Sequence, residues 1–311
     1  MSKPKAKGNA LDELYTRVTN QVIAHLEEGV PTWTRPWKVS RKNGIGIVPQ
    51  NAVTARPYSG ANVLILWMMA EVSGYASNAW LTYKQANEAG GKVRKGERGV
   101  QVVYVLWRED EKNPEKKIPT TRYYTVFNVE QCDGLPETIA QPPLPFSSLP
   151  KDVAIRKCLE TATGHTKERP KILIAGNKAA YLPNRDVIVM PPLDAFQQPD
   201  DFYATLAHEV SHFSGAPSRL NRVGGKKFGD NEYAFEELVA ELSSAFLCAH
   251  FGIEASFRSA QYLDGWLTVL KKDHRAIFTA ASHASQSCKW ILENGDALVE
   301  EDEQPFAEAA E

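Results

Sequence analysis

The sequence predicts an α+β protein in two domains, and three observations carry that expectation. Helix-period apolar segments alternate with runs of β-branched and aromatic residues in both halves of the chain. Residues 131–150 hold five prolines and no lysine or arginine, a composition that favours an extended, semi-rigid segment over a helix or central strand. Charge divides about that stretch. Residues 1–130 contain 19 Lys+Arg and 12 Asp+Glu, a net of +7, whereas residues 131–311 contain 17 and 26, a net of −9. The expected organisation is a domain at 1–134, a linker at 135–150 and a second domain at 151–295, each domain with its own core. An acidic tail at 296–311 has the composition of a disordered segment.

In the first half, apolar residues at 11, 14, 15, 18, 22, 23 and 26 predict a helix over Leu11 to Glu28, stopped by Gly29. Asn62 to Ser73 and Thr82 to Ala89 also read as helices. "GVQVVYVLWR" (Gly99 to Arg108) and "RYYTVFNVE" (Arg122 to Glu130) read as strands, with "EDEKNPEKKIPT" between them a charged, mobile loop. In the second half, Asp152 to Thr163 reads as a helix. "KILIAG" and "DVIVMP" are short strands around the turn-like "LPNRD". Pro199-Asp200-Asp201 starts a helix that should end near Gly215, and Glu232 to Phe251 forms another.

Chemistry concentrates in "TLAHEVSHFSG", Thr205 to Gly215. Residues four apart on a helix share a face, so His208 and His212 can offer imidazole nitrogens to one ion. Glu209 lies about 100° around the helix from His208, where its carboxylate can hold a metal-activated water and take its proton. A buried stripe of Phe202, Leu206, Val210 and Phe213 leaves the histidine pair on an adjacent flank. The third ligand sets the subclass. Ser218 stands where an HExxHxxGxxH site needs histidine, so the acid-bearing helix downstream supplies it: Glu237 in "EELVAEL", with Glu236 the alternative if that helix is rotated. Glu241, one turn beyond Glu237, is the expected acceptor for a ligand imidazole N–H. The predicted cofactor is Zn2+, another divalent cation being the alternative. Arg219, Arg222, Tyr233 and His250 are weaker candidates for stabilising an oxyanion. "DVIVMP" is the candidate edge strand for an extended peptide. His25, His165, His274 and His283 lack ligand spacing.

Five of seven tryptophans lie in the first half. "PTWTRPWK" alternates Trp33 and Trp37 with Arg35 and Lys38, and "GGKVRKGERG" sets Lys92, Arg94, Lys95 and Arg98 on a glycine-rich turn. Indole faces beside cations suit single-stranded nucleic acid, whose bases stack while its phosphates pair with basic groups. Core packing is the competing role, favoured for Trp67 and Trp107. No apolar run approaches the ~20 residues of a membrane span. The N-terminus lacks the apolar segment of a secretory signal, and four scattered cysteines without a CxxC pair suit a reducing cytoplasm.

"PTWTRPWK", "NAVTARPYSGANVLILW", "WLTYKQANEAGGKVRKGERG" and "VFNVEQCDGLP" resemble the N-terminal single-strand DNA-binding domain of plasmid ArdC-type antirestriction proteins, also found in TraC primases. "AYLPNRDVIVMPP", "FYATLAHEVSHFSGAPSRLNR" and "YAFEELVAELSSAFL" resemble the zincin metallopeptidase domain that follows it. The resemblance implies protection of incoming plasmid DNA against host restriction during conjugation. It also implies a zincin fold with His208, His212 and Glu237 on the metal and Glu209 catalytic. Host restriction proteins or other DNA-bound proteins are then the expected peptidase substrates. The competing expectation is a DNA-coating protein with a structural or vestigial metal site. A nuclease is disfavoured because the chain lacks a concentrated carboxylate cluster for two metals.

Overall fold

A computed structural model of the protein describes residues 7–29, 31, 33, 48–110, 113–140, 149–169, 171–222, 231–254 and 262–296. Arg35, Trp37 and Lys38 lie outside the described residues, as do most of the predicted linker (141–148) and nearly all of the acidic tail (297–311).

Helix α1 (Lys7–Glu27) buries Leu14, Val18, Val22 and Leu26, four apart as the sequence period requires. After strand β1 (Gln50–Asn51) comes α2 (Ala61–Ser73), closed by Gly74 in the left-handed conformation at φ 69°. Strand β2 (Ala79–Thr82) passes directly into α3 (Tyr83–Glu88) through a reciprocal cap: Thr82 Oγ1 accepts from Gln85 N, and Gln85 Oε1 accepts from Thr82 N. Strand β3 (Lys92–Val93) precedes a long hairpin of β4 (Val100–Asp110) and β5 (Asn113–Asn128). The predicted mobile loop is therefore incorrect. The antiparallel ladder runs from Val100↔Val126 to Glu109↔Lys117, because Ile118, Thr120 and Thr121 favour extended backbone that continues the register already set. The sheet order is β1-β2-β5-β4. Strand β6 (Cys132–Asp133) pairs with β3, and α4 (Glu137–Ala140) corrects the expectation of no helix in the proline-rich stretch. Pro136 sits ahead of that single turn, where its carbonyl accepts from Ile139 N and Ala140 N and its missing N–H costs nothing.

The second half begins with α5 (Lys151–Thr163), then β7 (Ile172–Ile174), β8 (Ala180–Leu182) and β9 (Val187–Met190) in the order β7-β9-β8. β9 runs parallel to β7 and antiparallel to β8. "DVIVMP" is thus the central strand, its hydrogen-bonding edges both used, and cannot be the free edge expected of it. Four helices complete the chain: α6 (Pro199–Ser214), α7 (Asn231–Phe251), α8 (Leu263–Lys272) and α9 (Ala276–Asn294).

The halves do not keep separate cores. One apolar cluster joins α1, α2 and the β4–β5 hairpin to Leu238, Val239, Leu242, Phe246 and Ala249 of α7, Trp266 and Leu270 of α8, and the alanine face of α9. Trp67 meets Phe246 edge-on at 5.7 Å between ring centroids, and Tyr15 meets Phe278 at 4.5 Å. Polar bonds cross the same seam, with Thr19 Oγ1 donating to His274 O (2.6 Å) and Gly60 N to Ser285 Oγ (2.7 Å). A second cluster is confined to the C-terminal half: α5, the three-stranded sheet, the buried stripe of α6, and Leu247 and Cys248 of α7. α7 touches both cores and carries the acidic residues, so the candidate site is built on a helix clamped from two sides. Among the described residues no helix is long and apolar enough to cross a membrane, and all four cysteines are free.

Candidate metal centre

α6 opens with Pro199 in its first turn beside Asp200 and Asp201, acids at the positive end of the helix dipole. Phe202, Leu206, Val210 and Phe213 are buried, as their spacing predicts, which turns His208 and His212 towards α7. Their Nε2 atoms face each other at 3.2 Å. Glu237, 5 % exposed, completes the group: its Oε2 lies 3.4 Å from His208 Nε2 and its Oε1 3.6 Å from His212 Nε2. Glu241 Oε2 stands 3.6 Å from His208 Nδ1, and Glu236 Oε1 3.4 Å from His212 Nδ1. Each ring therefore has a carboxylate at its outer nitrogen and a shared carboxylate at its inner one. Glu236 faces the outer nitrogen of His212, and Glu237 stands with the two histidines in a group that could hold a metal ion.

The residues fit a divalent cation on this geometry. Donors around one tetrahedral ion at ~2.1 Å lie roughly 3.4 Å apart. The two ring nitrogens are 3.2 Å apart, each lies 3.4 or 3.6 Å from its nearer Glu237 oxygen, and one donor atom from each residue lies within 4.8 Å of the other two. Two imidazole nitrogens this close have room for one proton between them, and Glu237 Oε2 is buried with no hydrogen-bond partner. A cation would satisfy all three groups at once. The carboxylates also favour protonated rings. Burial alone would lower the His208 pKa, but Glu237, Glu241 and the charge of Glu209 raise it well above its ordinary value. Burial likewise opposes protonation of His212, yet Glu236 and Glu237 lift it to about 9. Glu237, which burial would raise, is held well below the usual carboxylate range by the two imidazoles.

Behind Glu236 stands Arg222, whose Nη2 bonds Glu236 Oε1 at 2.9 Å and Ser211 O at 2.6 Å while Nη1 bonds Ser214 Oγ at 3.1 Å. This explains Gly215: a Cβ there would sit 2.9 Å from Arg222 Nη2. Gly215→Ala should cost about 1–3 kcal/mol by overpacking, read as a lower thermal midpoint, and should weaken divalent-metal binding as Glu236 loses its guanidinium. Unchanged midpoint and affinity would dissociate Arg222 from the site.

Glu209, 8 % exposed, accepts the backbone N–H of Tyr181 through Oε2 at 2.7 Å. β8, not β9, is therefore the edge strand beside the histidine helix. It is bolted there by Arg219, which lies 3.6 Å over the Phe213 ring and donates to Phe213 O, to Asp186 Oδ1 at 2.6 Å and to Tyr181 Oη at 3.1 Å. Lys171 adds a bond to Asp186 Oδ2 at 2.9 Å. Burial and Asp186 push the Tyr181 hydroxyl up to about 12, so it keeps its proton. Of the four residues considered for an oxyanion, Arg219 and Arg222 are committed to these structural networks. His250 packs against Phe251, thirteen positions along α7 from Glu237 and roughly 20 Å away at helical rise. Tyr233 remains: its hydroxyl is 3.4 Å from that of Tyr262, and burial, Tyr262 and Glu237 together raise its pKa. The Tyr181 amide, the Arg222–Glu236 pair and the Asp186 cluster had no sequence signal, because each joins residues that only the tertiary fold brings together.

The predicted DNA contacts separate. Trp33 is 1 % exposed and packs on Trp266 at 5.8 Å between centroids, so its indole has no open face for a base. The polar residues around it gave no hint of that burial. Arg94 is held by Glu97 (2.7 Å), Asp133 (3.5 Å) and Glu130 O (2.7 Å). Lys92, Lys95 and Arg98 are exposed.

An HExxH helix beside a short mixed sheet, with a third candidate donor on the next helix, is the arrangement of a zincin-like domain. Residues 162–283 match the model of a zincin-like metallopeptidase domain, and residues 12–127 match the N-terminal domain of anti-restriction factor ArdC. The chain belongs to the ArdC antirestriction family. It is 41 % identical to ArdC from plasmid R388 in its metal-free crystal structure, with a TM-score of 0.73, covering 92 % of this chain and 99 % of that one. The Mn(II)-bound R388 structure gives 40 % identity and the same TM-score over 91 % and 98 %. Protein y4eC of Sinorhizobium fredii (strain NBRC 101917 / NGR234) is 37 % identical, over 90 % of this chain and 91 % of its own length. Two DNA primases TraC of Escherichia coli are 30 % and 31 % identical over 89 % and 91 % of this chain, which spans only 27 % and 20 % of their lengths.

Proposed function

We propose that the chain binds single-stranded DNA through its basic N-terminal half and hydrolyses peptide bonds at a zinc centre held by His208, His212 and Glu237. The observation that supports this reading is the convergence of one donor atom from each of His208, His212 and Glu237 within 4.8 Å of one another. When bound, the cation supplies Lewis acidity for a water and a substrate carbonyl. The chain's own residues do the rest. Glu241 and Glu236, 3.6 and 3.4 Å from the outer ring nitrogens, would accept from them once the rings turn both Nε2 lone pairs to the ion. Glu209, one oxygen fixed by the Tyr181 amide, receives a proton and returns it to the departing amine. Tyr233, its proton tightly held, donates to the developing oxyanion. Bound to incoming plasmid DNA in the cytoplasm during conjugation, the protein would act on host restriction proteins or other DNA-bound proteins.

Glu209→Gln separates the chemistry from the scaffold. It should retain metal and fold while peptide cleavage falls by about a hundredfold or more. Recipient cells expressing it should lose protection of transferred plasmid DNA. Unchanged cleavage would reject the peptidase reading. Full protection without cleavage would assign the function to DNA coating, with the metal site structural.

A further inference from the structure

Burial of Trp33 leaves a basic N-terminal half without an assigned base-stacking surface among its described residues. Tyr83 there is 54 % exposed, the only exposed tyrosine, phenylalanine or tryptophan among the side chains that the structure describes. It is the first residue of α3, set at the end of β2 by the Thr82 cap. Its ring stands edge-on to half-buried Phe127 of β5, with centroids 6.4 Å apart and planes at 63°. The register pairs Leu81 with Phe127, and Thr82 with Val126, so this tyrosine caps the exposed end of a paired sheet. Beyond Phe127 the same sheet face continues through the exposed pair Gln101 and Thr125. Gly99 draws β4 tightly against it: a Cβ there would lie 2.5 Å from Thr125 Cγ2 and 3.0 Å from Phe127 Cε1.

Charge around this face has one sign left over. Glu97 is engaged by Arg94 and by Gln131 Nε2 (2.9 Å), and Glu130 accepts from Ser77 N at 2.6 Å. Lys92, Lys95 and Arg98 are exposed and have no ion pair among the described residues, Arg98 directly preceding Gly99. Lys84 follows Tyr83 and holds Glu88 only at 3.9 Å, an exposed pair that contributes little.

We propose that Tyr83 and Phe127 form the base-stacking platform of a single-stranded DNA site, with Arg98 and Lys95 as its phosphate contacts. This rests on the single-strand-binding reading above and adds to it where the strand lies. Stacking is tolerant of sequence, whereas phosphate contacts release counterions and make affinity salt-dependent. The two roles therefore leave different signatures.

The test uses the full-length chain and a fluorescent oligothymidylate titrated at several salt concentrations. Tyr83→Ala should weaken binding about tenfold, with the salt slope unchanged, and Tyr83→Phe should restore it. Arg98→Ala combined with Lys95→Ala should weaken binding and shrink the salt slope by about 1.4. Thermal midpoints of these surface variants should match wild type. If wild type binds and Tyr83→Ala binds within twofold of it, the platform is overturned and the DNA-binding reading survives. That outcome would leave the surface to a protein partner. If wild type fails to bind at low salt, both are overturned.

Discussion

A chain ended at Ala140 is expected not to fold. The N-terminal sequence match, residues 12–127, suggests a separable module, but the packing contradicts that. Removing the second half strips the main core of Leu238, Val239, Leu242, Phe246, Trp266 and Leu270, all at most 5 % exposed. Each large apolar side chain contributes ~1.5–3 kcal/mol when buried, so the loss rivals the ~5–15 kcal/mol that holds a whole domain together. Val22, Leu26, Trp33 and Trp67, buried in the full chain, would face water. The fragment should give a non-cooperative thermal transition by circular dichroism and bind a hydrophobic dye. A monomeric fragment melting cooperatively near the full-length midpoint would refute a shared core. Phe246→Ala in the full chain should cost about 3–5 kcal/mol, because the Trp67 contact cannot close over the gap. The alignments to both TraC primases run across about nine-tenths of this chain, as expected if the two halves travel together.

That sharing is also what the sequence could not disclose. Helical periodicity reports which face of α7 is apolar, but not which half of the chain will cover it. Leu238, Val239 and Leu242 read equally well as the inside of a self-contained C-terminal domain. Local signals were legible wherever the chemistry is local: His208 and His212 share one face of one helix, and Glu237 and Glu241 follow the same rule on the next. Charge and proline content misled in three places. Residues 109–110 and 113–120 of "EDEKNPEKKIPT" lie in strands because cross-strand pairing outweighs the polarity of the sequence. Pro136 starts a helical turn rather than forbidding one. Trp33, flanked by polar residues, is buried because Trp266, far along the chain, lies against it. β8 escaped notice because three residues are too few to show an alternation.

Glu237→Ala is expected to cut divalent-metal affinity by about a thousandfold, as the loss of one of three protein ligands. The pH dependence gives the sharper check. With no metal, His212 holds a proton up to about 9, and Glu237 is the carboxylate it shares with His208. A cation must displace the protons of both rings, so apparent affinity in the wild type should climb by more than about tenfold per pH unit below about 9 and less steeply above it. The metal-free fold has the opposite preference. Because the folded pKa of His212 is raised from 6.5, its contribution to stability is fully present below 6.5 and is lost as pH rises through about 9. Glu237, with a depressed pKa, contributes above its ordinary 4.5 and loses that contribution as pH falls below it. The metal-free protein should therefore be most stable between these limits and soften in alkali, whereas metal should stabilise it most in alkali. Calorimetric titration with Zn(II) and with Mn(II), beside thermal melts from pH 5 to 10, tests both slopes. In Glu237→Ala the histidines lose their common counter-charge, so the metal-free pH profile should flatten along with the affinity. A variant that binds metal weakly yet keeps the alkaline softening would place the protons on groups other than this pair, and the convergence of ring nitrogens and carboxylate would then have another cause.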